Sequence, residues 1–420
     1  MRSLRLCFAL LVLFAAPATA DETCQSPYLP KVTGQEDYLY VWTLGTPGLG
    51  DGSDKLVTVG VNPARPDYGQ VISSVSVGGR HEAHHGGFTD DRRQLWLGGL
   101  DDSAIFVFDV GSDPAHPKLL RTVTDFVAKT GGVVGPHTFY ALPGRMLVTG
   151  LSNAQDLGGR TAVAEFANDG GFVRTTWLPK GAEYGYDVRV NPHLNRMLTS
   201  SFTGHENYMR KLSDLMRDAE AMKRFGSTMV VWDFHARKPL QTLSVPGAPL
   251  EIRWALHPRH EYAFTSTALT GKLWGVFHQG GGRFEAVEIG DVGDPAKLPL
   301  PVDISLSADD STLFVDSFMD GMVRVYDVTN PRRARQIYER KIGAQVNMVS
   351  QSWEGKRLYF TSSLLANWDG TGHEDEQFLK AFRWDGKTLE PTFALDFTAL
   401  ALGRPHQMNL GAESFRVAKR

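Results

Sequence analysis

Three histidines fall within the stretch His81-Glu82-Ala83-His84-His85, which runs on into Gly86-Gly87-Phe88 and the apolar segment Gln94-Leu95-Trp96-Leu97-Gly98-Gly99-Leu100. Imidazoles so crowded are out of place in a solvated loop and suit metal binding or proton transfer. The pattern, a polar residue opening an apolar run with a second run about ten residues on, recurs along the chain. It appears at Pro136-His137-Thr138-Phe139, Tyr186-Asp187-Val188-Arg189, Leu250-Glu251-Ile252-Arg253, Val302-Asp303-Ile304-Ser305, Val346-Asn347-Met348-Val349 and Pro405-His406-Gln407-Met408. The equivalent positions read His85 (or His84), His137, Asp187, Glu251, Asp303, Asn347 and His406. None is apolar. Brought to one place, they offer three or more imidazoles, three carboxylates and an amide. Nitrogen donors of that kind suit copper, zinc, iron or nickel, while carboxylates complete the coordination or orient an imidazole by accepting its second N–H. Adjacent His84 and His85 would leave opposite faces of a regular strand, so the pair is expected in the turn before it.

What positions these residues is a set of short strands. Alternating segments such as Ile105-Phe106-Val107-Phe108-Asp109, Met229-Val230-Val231-Trp232-Asp233 and Val323-Arg324-Val325-Tyr326-Asp327 end in acidic or polar turns, and weaker copies bring the count to seven. Markers at Asp109, Glu165, Asp233, Phe277, Asp327 and Asp385 are spaced at propeller-blade intervals, with loop insertions. The expected fold is all-β: a seven-bladed β-propeller filling 21–420 as one domain, because a blade cannot cover both its faces alone. The inner strands would line a central channel and set the seven polar residues at one end of it. Ring closure is expected to draw on a strand from Tyr38 to Thr43. One helical insertion is expected at about 205–226, with a helix from Asn207 to Arg224 whose Met209, Leu212, Met216, Ala219 and Met222 form one stripe. The stripe reads as core packing that could also lid the channel.

Residues 1–20 have the basic, apolar and small-residue regions of a secretory signal peptide. Their apolar run is too short to span a bilayer, and no later stretch reaches that length. The expected location is therefore the periplasm. The 44 basic and 47 acidic residues give a net charge of −3, and no basic run stands out, which argues against a nucleic-acid partner. Cys7 lies in the leader, leaving Cys24 alone and read as passive, without a disulfide.

The remaining polar residues have plainer readings. His116, His193, His235, His257, His260 and His278 read as surface or capping residues, His81 stays open between ligand and structural roles, and Met408 reads as packing. The acidic run from Asp369 to Glu376, with His373, reads as a solvated loop. No phosphate loop, Gly-x-Ser-x-Gly elbow, His-Glu-x-x-His or paired Cys-x-x-Cys is present.

Several of these segments resemble the selenium-binding protein or methanethiol oxidase family. They include Pro66-Asp67-Tyr68-Gly69-Gln70, His81-Glu82-Ala83-His84-His85-Gly86-Gly87, Asp109-Val110-Gly111-Ser112-Asp113-Pro114, Gly185-Tyr186-Asp187, Pro249-Leu250-Glu251-Ile252-Arg253 and Gly355-Lys356-Arg357-Leu358-Tyr359. The resemblance runs from about Tyr38 to His406. It implies a seven-bladed propeller with His84, His85, His137 and His406 as the metal set and copper as the cofactor. It also implies oxidation of methanethiol, a small thiol, with O2 and water to formaldehyde, hydrogen sulfide and hydrogen peroxide. Independently of the resemblance, Glu251, then Asp187, reads from its place in the repeat as the group that moves protons. Where animal members carry a cysteine credited with selenium binding, this chain has Gly69, so selenium binding is not carried over. The competing expectation is a periplasmic protein that binds copper or a selenium or sulfur compound without turnover.

Overall fold

The computed structural model describes residues 25–369, 376–414 and 416–417. The leader, Cys24 and His373 lie outside them. Seven four-stranded antiparallel sheets follow one another along the chain and form the blades. Blade 1 has as its outer three strands Tyr38–Leu44, Lys55–Gly60 and Val71–Ser76, and its innermost strand is Arg404–Gly411 from the far end of the chain. Tyr38 pairs with Gly411 and Val41 with Met408, so the ends of the chain are held in one sheet. Closure at Tyr38 is therefore as expected, with the C-terminal strand supplying the channel-lining member. A short pair, Val32–Thr33 with Arg416–Val417, extends this junction.

The innermost strands of blades 2 to 7 are Ala83–Phe88, Val133–Leu142, Gly185–Asn191, Pro249–Trp254, Pro301–Leu306 and Met348–Gln351. They are buried almost without interruption, because each is covered on both faces by neighbouring blades and on one edge by the crowded axis. The outermost strands instead alternate, as in Lys118–Val123 and Arg335–Lys341, since one edge and part of one face meet water. Apolar side chains from adjacent blades interleave between the sheets. Trp42, Trp96 and Trp232 are fully buried there, each worth roughly 2–3 kcal/mol of burial. The acidic residue that ends the third strand of several blades caps the turn after it: Asp109 Oδ1 accepts from the amides of Gly111 and Ser112, and Asp385 Oδ1 from those of Lys387 and Thr388.

The insertion is helical but not one helix. Three single turns, His205–Tyr208, Leu212–Leu215 and Ala219–Met222, replace the expected continuous element. Lys211 and Asp218 are extended between them, and the Asp218 carboxylate caps the last turn through the amides of Glu220 and Ala221. The stripe is broken so that Leu212, Leu215 and Ala221 can all reach down onto the channel mouth. There they pack with Tyr186, Phe202, Leu250 and Trp368. Met209 and Met222 join that cluster, while Met216 is exposed. Among the described residues no helix is long and apolar enough to cross a membrane.

Candidate metal centre

His84 and His85 lie inside the innermost strand of blade 2, not in the turn before it. Both face the axis because the strand bulges at them: Ala83 pairs with Gly99 and Gly86 with Leu97, so three steps on one strand match two on the other. Gly87 then passes so close to the Phe139 carbonyl of blade 3 that no Cβ would fit, which explains the glycines after the histidine pair.

The same bulge recurs at equivalent places in blades 4, 5 and 6, between Gly185 and Val188, Pro249 and Ile252, and Pro301 and Ile304. Blades 3 and 1 break register at His137-Thr138 and His406-Gln407. Each bulge delivers two residues to the channel, and this corrects the single ring inferred from the repeat. There are two layers. His84, His137, Tyr186, Leu250, Val302, Asn347 and His406 form one, while His85, Thr138, Asp187, Glu251, Asp303, Met348 and Gln407 form the other.

In the first layer the His84 and His406 rings stack with centroids 3.9 Å apart, and His137 lies 5.0 Å from His84. His85 reaches up from the second layer, 4.0 Å from the His137 ring and 4.8 Å from that of His84. Nitrogens of His84, His85 and His406 come within 4.8 Å of one another. His137 meets this group through His85 and His84. His81 does not join: its Nδ1 sits 2.7 Å from Asp102 Oδ2 and its ring lies against Phe106. Met408 packs in the core between blades 7 and 1.

Each imidazole is oriented by what its other nitrogen meets. His406 Nδ1 donates to the Ser363 carbonyl at 2.8 Å, with Asn347 Nδ2 3.0 Å away and also donating to that carbonyl. His137 Nδ1 faces Thr138 Oγ1 at 3.3 Å, and that hydroxyl donates to Asp187 Oδ1 at 2.9 Å. These contacts leave His137 Nε2 and His406 Nε2 buried with no partner, and His84 Nδ1 is in the same condition. Burial depresses all four imidazoles, His137 and His406 to about 3 and His84 and His85 well below their ordinary range. They are neutral at physiological pH. Bare lone pairs on neutral, fully buried rings cost free energy unless something fills the space between them, and a first-row metal ion fits that donor set.

The carboxylates differ in what they have left to give. Asp187 accepts from the amides of Val188 and Ile252, both at 2.8 Å, and Asp303 from those of Ile304 and Val349 at 2.8 and 3.0 Å. Each thereby ties its own blade to the next. Burial raises both, Asp303 to about 7, against the pull of Arg189 and Arg253. Glu251 uses only Oε2, which accepts from Arg189 Nη2 at 3.1 Å and Arg253 Nη1 at 2.8 Å. Its Oε1 is buried, unpartnered and 3.8 Å from His85 Nε2.

Arg189 and Arg253 escaped the sequence reading, although both stand two residues after a ring carboxylate and therefore on its face of the strand. Glu82 escaped it too. At φ +60° it turns back to accept from the Ala366 amide at 2.7 Å, and burial pushes it up to about 8. It thus pins the segment Ser363–Asp369, whose Leu364, Leu365 and Trp368 roof the channel. Asp369, expected in solvent, is buried and accepts from Ser363 Oγ and the Leu364 amide at 2.5 and 2.7 Å. The insertion docks on this roof through Asn367, whose side chain donates to the Met209 carbonyl at 2.8 Å. Gly69, by contrast, lies in the loop before the outermost strand of blade 1, at φ +72°, where a Cβ would meet the ring of Phe393 on the outermost strand of blade 7 at 3.0 Å.

The profile of a family described as 56kDa selenium binding protein (SBP56) matches residues 18–412. A protein of Ruegeria pomeroyi named methanethiol oxidase is 56% identical over 411 residues, covering 94% of each chain. A Hyphomicrobium protein of the same name is 55% identical, covering 97% of this chain and 94% of that one. The human methanethiol oxidase is 29% identical over 83% of this chain and 87% of its own. Among solved structures, a hypothetical selenium-binding protein from Sulfolobus tokodaii superposes with a TM-score of 0.81 at 23% identity, covering 93% of this chain and 97% of that one, which is a likeness of fold.

Proposed function

This chain belongs to the 56kDa selenium binding protein family (SBP56), and on that premise we propose that it is a copper-dependent methanethiol oxidase. Methanethiol, dioxygen and water, one molecule of each, would give one molecule each of formaldehyde, hydrogen sulfide and hydrogen peroxide. The thiol carbon is oxidised, its bond to sulfur breaks, and dioxygen takes up the two electrons. The observation that carries the reading is the cluster of His84, His85 and His406, whose nitrogens lie within 4.8 Å of one another, with the His137 ring beside it and bare, buried nitrogens on His84, His137 and His406. The relatives at 55–56% identity carry the name of the activity.

His84, His85, His137 and His406 would hold the metal. Bound copper would supply Lewis acidity toward the thiol sulfur and a one-electron redox couple between substrate and oxygen. Asn347 and the Ser363 carbonyl fix the His406 ring with Nε2 bare, and Thr138, itself held by Asp187, does the same for His137. Glu251 is the group placed to move protons, because Oε1 is free while Oε2 is clamped by two guanidinium groups. Asp187 stands second: both its oxygens are engaged, so its influence on the reacting groups runs through Thr138. Residues 1–20 would direct the protein to the periplasm.

Metal analysis of protein purified from the periplasm, followed by an aerobic assay with methanethiol, tests the proposal. About one copper per chain, with peroxide and sulfide formed together, is the expected result. Copper retained without either product would make the protein a metal-binding module instead.

A further inference from the structure

The first layer of the ring is divided. Three of its positions are histidine, and facing them at the same level are Tyr186, Leu250 and Val302, where blades 4, 5 and 6 place apolar or aromatic side chains. Beside His84 lies a small cavity, about 20 Å³, with room for a group the size of a methyl, walled by His84, Tyr186, Phe202, Leu250, Val302 and Trp368. Among the described residues no charged side chain lines it. The roof segment that Glu82 pins closes it from above. On the opposite side of the histidines the surroundings change character: Gln25, Arg189, Glu251 and Arg253 line a second, polar cavity. A small molecule at the metal centre therefore meets an apolar wall on one side and charge on the other.

We propose that the alkyl group of the substrate lies in the apolar cavity beside His84, and that Leu250 and Val302 set the chain length it admits. This rests on the oxidase reading and deepens it: the substrate class is a neutral, short-chain alkyl thiol. Its sulfur lies toward the histidine set and its carbon chain toward Leu250 and Val302. A thiol bearing an ammonium or carboxylate group, such as cysteine, would have to bury that charge against Phe202, Val302 and Trp368 with nothing to pair it. A longer alkyl chain would collide with Leu250 and Val302, whose own strands are locked between blades and cannot retreat.

The test uses the copper-loaded full chain and the variants Leu250→Ala and Val302→Ala. Two conservative changes accompany them: Leu250→Val removes one methylene and Val302→Leu adds one. Turnover of methanethiol, ethanethiol, 1-propanethiol and cysteine is compared as kcat/KM. Anaerobic calorimetry measures binding of dimethyl sulfide and methyl propyl sulfide, which lack an S–H bond. The parent should favour the shortest chain and reject cysteine. Leu250→Ala should raise the propyl-to-methyl ratio about 10-fold or more in turnover and in binding, in line with the discrimination one or two methylenes provide in an apolar pocket. Leu250→Val should raise it less, and Val302→Leu should lower it. A ratio unchanged in all four folded variants, or cysteine accepted as well as methanethiol, overturns the inference while leaving the oxidase reading in place. Thioether binding that follows the cavity, with no thiol oxidised, upholds the inference and removes the oxidase reading.

Discussion

His85 and Glu251 face each other in the second layer of the ring, with His85 Nε2 3.8 Å from the one Glu251 oxygen that has no hydrogen-bond partner. The other oxygen is fixed by Arg189 and Arg253, so the carboxylate cannot swing away to find a donor. Glu251→Gln keeps the shape and the clamp geometry on one oxygen while removing the group that titrates. We expect copper content to stay at the parental level and methanethiol turnover to fall by about 10²-fold or more. Peroxide release at the parental rate would reduce Glu251 to a brace.

The histidines should separate metal retention from folding. Single Ala variants of His84, His137 and His406 are each expected to lose most of the bound copper. Their far-UV spectra should remain those of the parent, because the blades are held by interleaved apolar side chains and not by the ring. Elemental analysis after gel filtration reads the outcome. Full copper occupancy in both His137→Ala and His406→Ala would refute the assignment.

Asn347 is expected to matter without touching the metal. It stands 3.0 Å from His406 Nδ1 and donates to the same Ser363 carbonyl at 2.6 Å. Asn347→Ala frees the ring to rotate and should weaken copper binding about 10- to 100-fold, the usual effect of removing an orienting partner. A competitive chelator titration measures it, and restoration by Asn347→Gln or Asn347→Ser would show that the effect runs through the hydrogen bond.

Acid should unfold the metal-free protein earlier than its size suggests. His137 and His406 are held to about 3 in the folded chain against an ordinary 6.5. Between those values the unfolded chain binds more protons than the folded one, so stability rises with pH across that window. Their contribution is complete above about pH 6.5 and is lost as the pH falls toward 3. The melting temperature of metal-free protein should therefore drop between pH 7.5 and pH 5, and His137→Gln should make the drop shallower. Identical slopes for parent and variant would show that other groups set the acid limit.

A buried carboxylate that ties blades together should be costly to remove. Asp187 accepts backbone amides from two adjacent blades and an Arg189 contact at 3.2 Å. Asp187→Ala leaves those two amides and the Thr138 hydroxyl without their acceptor and takes one of two carboxylates from Arg189, at a cost of about 3–5 kcal/mol, measurable by denaturant unfolding. A loss below about 1 kcal/mol would show that neighbouring groups or water take over its bonds.

Much of this molecule was legible along the chain because its information is local and repeated. Alternation in Ile105–Asp109 and its copies, the Asp that caps the following turn in several blades, and the glycines after His84-His85 each follow from one strand's own chemistry, and repetition made their sum a seven-bladed ring. The identity of the converging residues was legible for the same reason: the repeat put a polar side chain at each channel strand. Which layer each one occupies was not. That depends on the bulges at Ala83–Gly86, Gly185–Val188, Pro249–Ile252 and Pro301–Ile304, where one extra residue reverses the facing of everything beside it. A bulge is a property of the pairing between two strands. The same is true of Arg189 and Arg253, whose partners lie on neighbouring blades, and of Glu82, which meets Ala366 of blade 7 from 284 residues away along the chain. The broken helix at 205–222 belongs here as well, since its apolar stripe was correct but the roof it had to cover decided its shape. Residue type sets what each side chain can do. Only the closed ring, by setting register and bringing distant strands within hydrogen-bond reach, decided that His84 faces an apolar cavity while His85 faces a carboxylate.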